Sequence, residues 1–526
     1  MIMKCTDTLY FGGPILTMEQ GPAPQAVLVR DGRIAGTGSL AQLQEAAPQA
    51  ARRDLRGRAL LPAFLDPHSH ITALAETLDL AQLGAAVTPE EIAVTLRDFA
   101  KAQDLPQGAW AIGFGYDHNV LPGGTHPTRQ DLDALLPDRP AMITHASGHM
   151  GVVNSAGLAA LGITPDTPDP AGGRIGREAD GKTPSGYLEE GAFFQASTVL
   201  PPAPPQVKQD RLRRAQDIYF SHGIVLAQDG LTDHSRYELL EQTQLTIDTV
   251  GFADMRGCTD LAGKPGIGGY KLLLDGSPQG RTAWMLEPYL GGSGDYRGYP
   301  IYTDEQVCDR VRQALTQGLQ LLTHCNGDGA AEQLLRCCRR VQEETGLPLS
   351  TIRPVMIHAQ LVHRDQLAQM VDLGMIPSFF VAHVWYWGDI HVQNFGLERA
   401  SGISPLASAH ALGLPFTFHQ DSPVIPPDML QSVWCAVNRL TRSGRVLGPE
   451  ERVDPLTALE AVTRNAARQY FMEDDRGSIA PGKRADLVLL SADPTAVDPA
   501  DIRDIQVLET IKDGSTVWKQ GSTEDR

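Results

Sequence analysis

The residues best able to do chemistry in this chain are histidines, one lysine and one aspartate, set at the ends of apolar runs. His68 and His70 follow LLPAFLDP one residue apart, His324 closes LQLLTHC, His358 closes PVMIHA and Asp421 ends LPFTFHQD. Lys271 lies inside GYKLLLD. Strand side chains alternate between faces, so His68 and His70 point to one side and both reach one ion. Four imidazoles, a carboxylate and an amine form a hard-to-borderline donor set that suits Zn²⁺, with Mn²⁺, Fe²⁺ or Co²⁺ as alternatives. A single histidine at a strand end is more often a rim residue than a ligand. The ordered recurrence at successive run ends is what argues for a metal. Lys271 carries less weight alone, because a strand lysine usually extends its ammonium to solvent.

Such residues meet only if the runs that carry them are parallel. Eight candidate strands stand in order: ALLPAFLD (59–66), AMITHA (141–146), GIVLAQD (223–229), GYKLLLD (269–275), LQLLTHC (319–325), PVMIHA (354–359), GMIPSFF (374–380) and LPFTFHQD (414–421). Helix-compatible stretches such as DGAAEQLLRCCRRVQEET and HRDQLAQMVDLG follow most of them. That alternation favours a (β/α)8 TIM barrel over a doubly wound sheet, and a barrel gathers its strand carboxyl ends on the face where active sites lie. The interval at about 75–215, after the first strand, holds ASGHMGVVNSAGL and DPAGGRIGREADGKTPSGYLEEGA and reads as an insertion that carries a lid. At the two ends, AVLVRDGRIAGTG and VLETIKDGSTVWKQ place Asp31-Gly32 and Asp513-Gly514 between apolar strands as hairpin turns. Residues 1–60 and 477–526 are therefore expected to build one β domain, with 61–476 as the barrel.

Bulk composition narrows the function classes. The chain has 526 residues, 42% of them hydrophobic and 21% charged, enough for a large core and an accessory domain. A formal charge of −18 with no cationic cluster opposes nucleic acid and anionic lipid as partners. The start, MIMKCTDTLYFGG, has no leader pattern, and no apolar run reaches the roughly 18 residues of a membrane span, so a cytoplasmic protein is expected. Cys5, Cys258, Cys308, Cys325, Cys337, Cys338 and Cys435 contain no CxxC pair, as expected of reduced thiols. Only Cys325, next to His324, invites thought as a ligand.

LPAFLDPHSH resembles the first-strand signature of the metal-dependent amidohydrolase superfamily, and GSIAPGKRADLVLLSADP its C-terminal hallmark. GYKLLLDGSPQGRTA, THCNGDGA, MIHAQLV and HQDSPVIPPD resemble the amidohydrolase-3 subfamily, which includes N-substituted formamide deformylase. The resemblance runs over nearly the whole chain and implies a barrel with a composite β-sandwich from both termini. It implies that His68 and His70 are first-strand ligands, His324 and His358 the fifth- and sixth-strand ligands, and Asp421 the eighth-strand aspartate. Lys271 stands where binuclear members carry an N6-carboxylated lysine bridging two metals.

The chemistry expected of this set is hydrolysis. One or two divalent ions lower the pKa of a bound water so that hydroxide exists near neutral pH, and polarise the substrate carbonyl. Asp421 then takes a proton from the water and returns it to the leaving group, as general base and then acid. A C–N bond in a non-peptide amide or formamide-type small molecule is the leading target. Ester, lactone or carbamate hydrolysis stands beside it, and a non-catalytic binding protein is the third reading, disfavoured by the complete ligand set.

Substrate contacts are less legible. SFFVAHVWYWGDIH brings His383 and Trp385 into an aromatic βα loop that either walls an apolar pocket or packs on the insertion. Arg281 in GSPQGRTA offers a bidentate site for a carboxylate or oxyanion, and Tyr116 and His149 in the long interval are candidates to close over the substrate. His149 is the better of these two, because its stretch is similar to a GH...VNS segment of the subfamily. A homo-oligomer is compatible with this fold, and nothing in the sequence decides it.

Overall fold

The computed structural model describes residues 7–170, 173–198, 203–292 and 294–521. Its central element is a curled sheet of eight parallel strands: β1 Phe64–Leu65, β2 Ile224–Thr232, β3 Asp248–Asp254, β4 Ile267–Leu273, β5 Gln320–Cys325, β6 Val355–His358, β7 Ile376–Phe379 and β8 Thr417–Phe418. Each strand pairs with its neighbours in sequence order. β2 shows why the runs read as continuous apolar segments: eight of the nine positions of IVLAQDGLT are buried, as parallel strands covered on both faces require. Leu65, Leu226, Phe252, Leu322, Val355, Ile357 and Ile376 belong to one core cluster, joined by Ala466, Ala467 and Tyr470.

Local signals set the crossovers. Thr303 and Gln306 form a capping box at the start of the helix Asp304–Gln317, and the left-handed Gly318 ends that helix just before β5. Gly346 and Gly374 end the helices Asp328–Thr345 and Arg364–Leu373 in the same conformation, ahead of β6 and β7.

Three expectations are corrected. AMITHA is not a barrel strand; Ala141–His145 belongs to a separate six-stranded sheet, with Ala111–Tyr116 parallel on one side and Met150–Val153 antiparallel on the other. The strand overlooked in its place is β3, DTVGFAD, whose polar start and central glycine mask its apolar core. ALLPAFLD is two strands, since Ala59–Pro62 pairs antiparallel with Leu487–Leu490 before the chain turns into β1. Nor does a ladder join β1 to β8 among the described residues. Both strands are two residues long, and the bond from the His70 N–H to the Ser422 carbonyl (2.8 Å) links the chain just beyond them.

The terminal segments form two four-stranded sheets. One orders Arg33–Gly38, Ala26–Arg30, Thr8–Phe11 and Ala51–Asp54; the other orders Ser515–Lys519, Val507–Lys512, Leu487–Leu490 and Ala59–Pro62. Tyr10, Val27, Val29, Leu60, Leu487, Leu489 and Ile511 share one core cluster across both. Each predicted hairpin turn has positive φ at both central residues, Asp31 at 48° with Gly32 at 77° and Asp513 at 49° with Gly514 at 73°. That is the turn whose twist matches paired strands.

The chain divides into two compact units. One comprises the chain up to Thr72, Arg213–Ser422 and everything from Pro426; the other is Ala73–Leu212 with Pro423–Ile425 and contains the six-stranded sheet. Among the described residues, no helix is long and apolar enough to cross a membrane.

Candidate metal centre

The parallel sheet delivers the chemically capable residues to one end. His68 and His70 follow β1, Lys271 lies in β4, His324 is the penultimate residue of β5, His358 ends β6 and Asp421 follows β8. Asp421 is at the centre. Its Oδ1 stands 3.3 Å from His68 Nε2 and 3.2 Å from His70 Nε2, and its Oδ2 stands 3.9 Å from His358 Nε2. His358 Nε2 lies 2.9 Å from His324 Nδ1, and Lys271 Nζ lies 3.0 Å from His68 Nε2.

The backbone is bent to achieve this. His358 has φ 73°, Ala359 46° and Asp421 54°, left-handed values that cost non-glycine residues about 1–3 kcal/mol each. The strain sits where β6 and β8 hand over to their loops and sets the direction of a candidate ligand side chain. Gly230, just past the middle of β2, makes room for another: a Cβ there would lie 2.4 Å from His68 Cε1.

Groups behind the histidines orient their rings and, at His68, decide which nitrogen carries the proton. His68 Nδ1 lies 2.6 Å from Gln228 Oε1, and the Gln228 amide nitrogen is committed to the Pro67 carbonyl and the Tyr470 hydroxyl. Nδ1 therefore donates, and Nε2 turns a lone pair toward Asp421. His324 Nε2 lies between the Gly276 carbonyl at 3.2 Å and the Asn326 side-chain amide at 3.1 Å, an acceptor and a donor, while its Nδ1 faces His358 Nε2. His358 Nδ1 meets His419 Nε2 at 3.1 Å, and His419 Nδ1 meets Ser378 Oγ at 2.9 Å, a relay that leaves His358 Nε2 facing inward.

These donors fit a divalent cation. Inward imidazole nitrogens and a carboxylate converge, and Asp421 Oδ1, buried, has no aligned hydrogen bond among the described residues although two imidazoles stand close. Separations of 3.2 and 3.3 Å match the edge of about 3.3 Å between ligands of a tetrahedral ion bound at roughly 2.0–2.1 Å. His68, His358 and Asp421 also form a compact triad of potential ligand atoms.

Burial sets the electrostatics. It works to raise the Asp421 carboxyl, but contact with His70 and the fields of His68 and His358 hold it well below the usual carboxylate range. Burial lowers the Lys271 amine to about 7, against the pull of Asp421. It likewise drives His68 and His358 well below the ordinary imidazole value, so both stay neutral and able to bind metal. Burial pushes the Cys325 thiol well up, and as the strand neighbour of His324 it faces the opposite side of the sheet and is absent from the compact group of ligand atoms. It and the other five described cysteines are free; Cys5 lies outside the described residues.

Supporting residues were harder to foresee. His419 is fully buried and backs His358, and its HxD spacing with Asp421 repeats the HxH of His68 and His70. Asp275, buried, accepts from the backbone N–H groups of Trp284, Asn326 and Gly327 and so ties down the loop that follows β5.

The predicted substrate contacts are dispersed. His383 lies buried near the centre, 4.6 Å from the Phe380 ring, its Nδ1 3.1 Å from His391 Nε2. It starts the helix His383–Ser401, where a loop was expected. Trp385 packs edge-on against Trp434 with Arg503 over its ring. Arg281 Nε donates to Asn394 Oδ1 at 2.8 Å. In the second unit, Tyr116 is fully buried with its hydroxyl 3.0 Å from His126 Nδ1, and His149 is exposed beside Glu190 Oε2 at 3.1 Å.

The sequence profile of the amidohydrolase family matches residues 52–518. The chain belongs to the amidohydrolase family. A second profile, the bacterial imidazolonepropionase-like composite domain, matches residues 26–50 of this family member. N-substituted formamide deformylase of Arthrobacter pascens is 27% identical over 542 residues, covering 97% of each chain. YtcJ of Bacillus subtilis (strain 168) is 27% identical over 539 residues, 97% of this amidohydrolase chain and 99% of its own. The fold is shared with an uncharacterized metal-dependent hydrolase from Pyrococcus horikoshii OT3, with TM-score 0.74 and 24% identity over 94% of this chain and 99% of that one.

Proposed function

We propose that this amidohydrolase cleaves a C–N bond in a non-peptide amide or formamide-type small molecule, with one or two divalent ions, zinc first, held by His68, His70, His324, His358 and Asp421. The observation that carries the reading is the convergence of imidazole nitrogens on a carboxylate whose Oδ1 lacks an aligned hydrogen bond among the described residues. Likeness over nearly full length to N-substituted formamide deformylase supports the substrate class.

A divalent ion in this site supplies acidification of a water and polarisation of a carbonyl oxygen. Asp421, held as an anion, accepts the proton of the attacking water and delivers it to the departing nitrogen, which is too basic to leave unprotonated. His383 and the Phe380 ring line the approach and exclude water, while Arg281 orients an anionic substrate group. Lys271 is placed to carry an N6-carboxylate: it is buried in β4, its nitrogen touches His68, and burial favours the neutral amine that reacts with CO₂. In that step the nitrogen bonds to carbon and releases one proton.

The domain assignment that accompanies this reading is a composite sandwich of the two terminal sheets and an insertion after β1. Support comes from their shared apolar cluster and from the compactness of Ala73–Leu212. The six free described cysteines accord with a reducing, cytoplasmic setting.

The test is elemental analysis of the purified protein followed by a panel of N-formyl amines, cyclic amides, esters, lactones and carbamates before and after chelation. Turnover of amides that chelation abolishes and zinc restores is expected. Full activity in metal-free protein would refute the metal centre, and turnover confined to esters or lactones would refute the C–N assignment.

A further inference from the structure

The second unit contains a separate histidine cluster to which nothing above gives a role. Asp117, His118 and His145 bring one ligand atom each into a compact group. His118 Nδ1 and His145 Nε2 are 3.1 Å apart, and Asp117 Oδ1 lies 3.6 Å from His145 Nε2 and 4.0 Å from His118 Nδ1. These three edges bracket the value of about 3.3 Å expected around a tetrahedral zinc ion.

The elements that bring them together are well defined. Ala111–Tyr116 and Ala141–His145 are parallel neighbours, and a register shift between Phe114 and Tyr116 sets Tyr116 opposite His145, so the two strands end side by side. Asp117 and His118 continue past the first end, and the Asp117 carboxylate accepts from the Asn119 backbone N–H at 2.9 Å and its side-chain amide at 2.8 Å. His145 Nδ1 faces Ser147 Oγ at 2.9 Å, a hydroxyl that can donate to it or accept from it. His126 stacks on His118, ring centroids 4.1 Å apart and 19° from parallel, and is itself fixed by the Tyr116 hydroxyl. Near-parallel stacked rings do not aim their lone pairs at one point, so His126 is a wall and not a ligand. The side chains of Asp117, His118 and His145 are only 13%, 18% and 4% exposed.

Without an ion, the short nitrogen-to-nitrogen contact is a hydrogen bond, with the Ser147 backbone N–H donating to His145 Nδ1 at 3.1 Å. The same atoms accept a cation by a shift of tautomer: His145 moves its proton to Nδ1, donates to Ser147 Oγ, and opens Nε2. We propose that Asp117, His118 and His145 form a second transition-metal site, wholly within Ala73–Leu212, that takes a zinc-class divalent ion with three protein ligands and a fourth position for water. The ion staples the His118–Gly124 segment to the ends of two strands.

The experiment counts metal per chain in the full-length protein after zinc loading and gel filtration, for wild type, His118→Gln, His145→Gln and the double variant His68→Ala/His358→Ala. One ion fewer per chain in each single variant is expected, with one ion retained by the double variant. Cobalt substitution gives a reading independent of stoichiometry: the double variant should still show the intense visible absorption of tetrahedral Co²⁺, and adding His118→Gln to it should remove that band. Far-UV circular dichroism accompanies each variant, and Asp117→Asn, which keeps the side chain's size, replaces any that unfolds. Unchanged metal content in the folded ligand variants, or a double variant devoid of zinc and of the cobalt band, would overturn the proposal.

Discussion

The two histidine clusters differ in how firmly their ligand atoms are held. At the end of the parallel sheet, Gln228 sets the His68 tautomer, His419 and Ser378 back the outer nitrogen of His358, and the Gly276 carbonyl and the Asn326 amide hold the outer nitrogen of His324. Backbone strain at His358 and Asp421 fixes their direction. In Ala73–Leu212, His145 Nδ1 meets only the hydroxyl and backbone N–H of Ser147 among the described residues, while its Nε2 lies against His118 and Asp117. The first cluster is braced from behind its rings; an ion in the second would replace a hydrogen bond between its own members. A donor set acquires chemistry when the groups behind it leave it no alternative partner.

The largest break in that contrast is expected from Asp421→Asn. It keeps the shape and loses the proton acceptor, so kcat should fall by about 10²–10⁴-fold while metal content stays near wild type. Steady-state kinetics paired with elemental analysis checks both halves, and near wild-type turnover at full metal content would remove Asp421 from its role. Next comes Gly230→Ala, whose new methyl group meets the His68 ring. Metal affinity should weaken on the order of 10–100-fold, as when an outer partner of a ligand is lost, measured by competition with a chromophoric chelator.

A smaller effect is expected at the far end of the histidine relay. Ser378→Ala removes one neutral hydrogen bond from His419, worth about 1 kcal/mol, so metal affinity should drop by roughly tenfold or less. Chelation should also lower the melting temperature of the wild type, because an ion bound only by the folded state stabilises it by mass action. Further depression of the melting temperature upon chelation in His68→Ala/His358→Ala would report an ion held elsewhere, as the second cluster requires.

Much of this was legible in the sequence, for physical reasons that also explain the failures. HxH after a buried run, and histidines ending β5 and β6, survive because parallel strands must be apolar throughout and their polar ends stand out. The hairpins survive because Asp-Gly turns need positive φ at both positions. Strand counting went wrong twice in compensating ways: AMITHA looks like a barrel strand but pairs in another sheet, and DTVGFAD hides a barrel strand behind Asp248 and Gly251. Lys271, His324 and His358 consequently kept their places as residues of the fourth, fifth and sixth strands. His419 went unread although it shares the two-residue spacing of His68 and His70, because a histidine that only backs another leaves no mark of its own. The Asp117 cluster depends on two strands ending side by side after a register shift, which no local pattern records.

The most direct test is a crystal of the purified protein measured on either side of the zinc absorption edge. An anomalous peak about 2.0–2.2 Å from His68 Nε2, His70 Nε2 and Asp421, with a second near His324 and His358 if Lys271 is carboxylated, is the predicted result. Ordered density for these side chains in active protein, with no anomalous peak among them, would contradict the account.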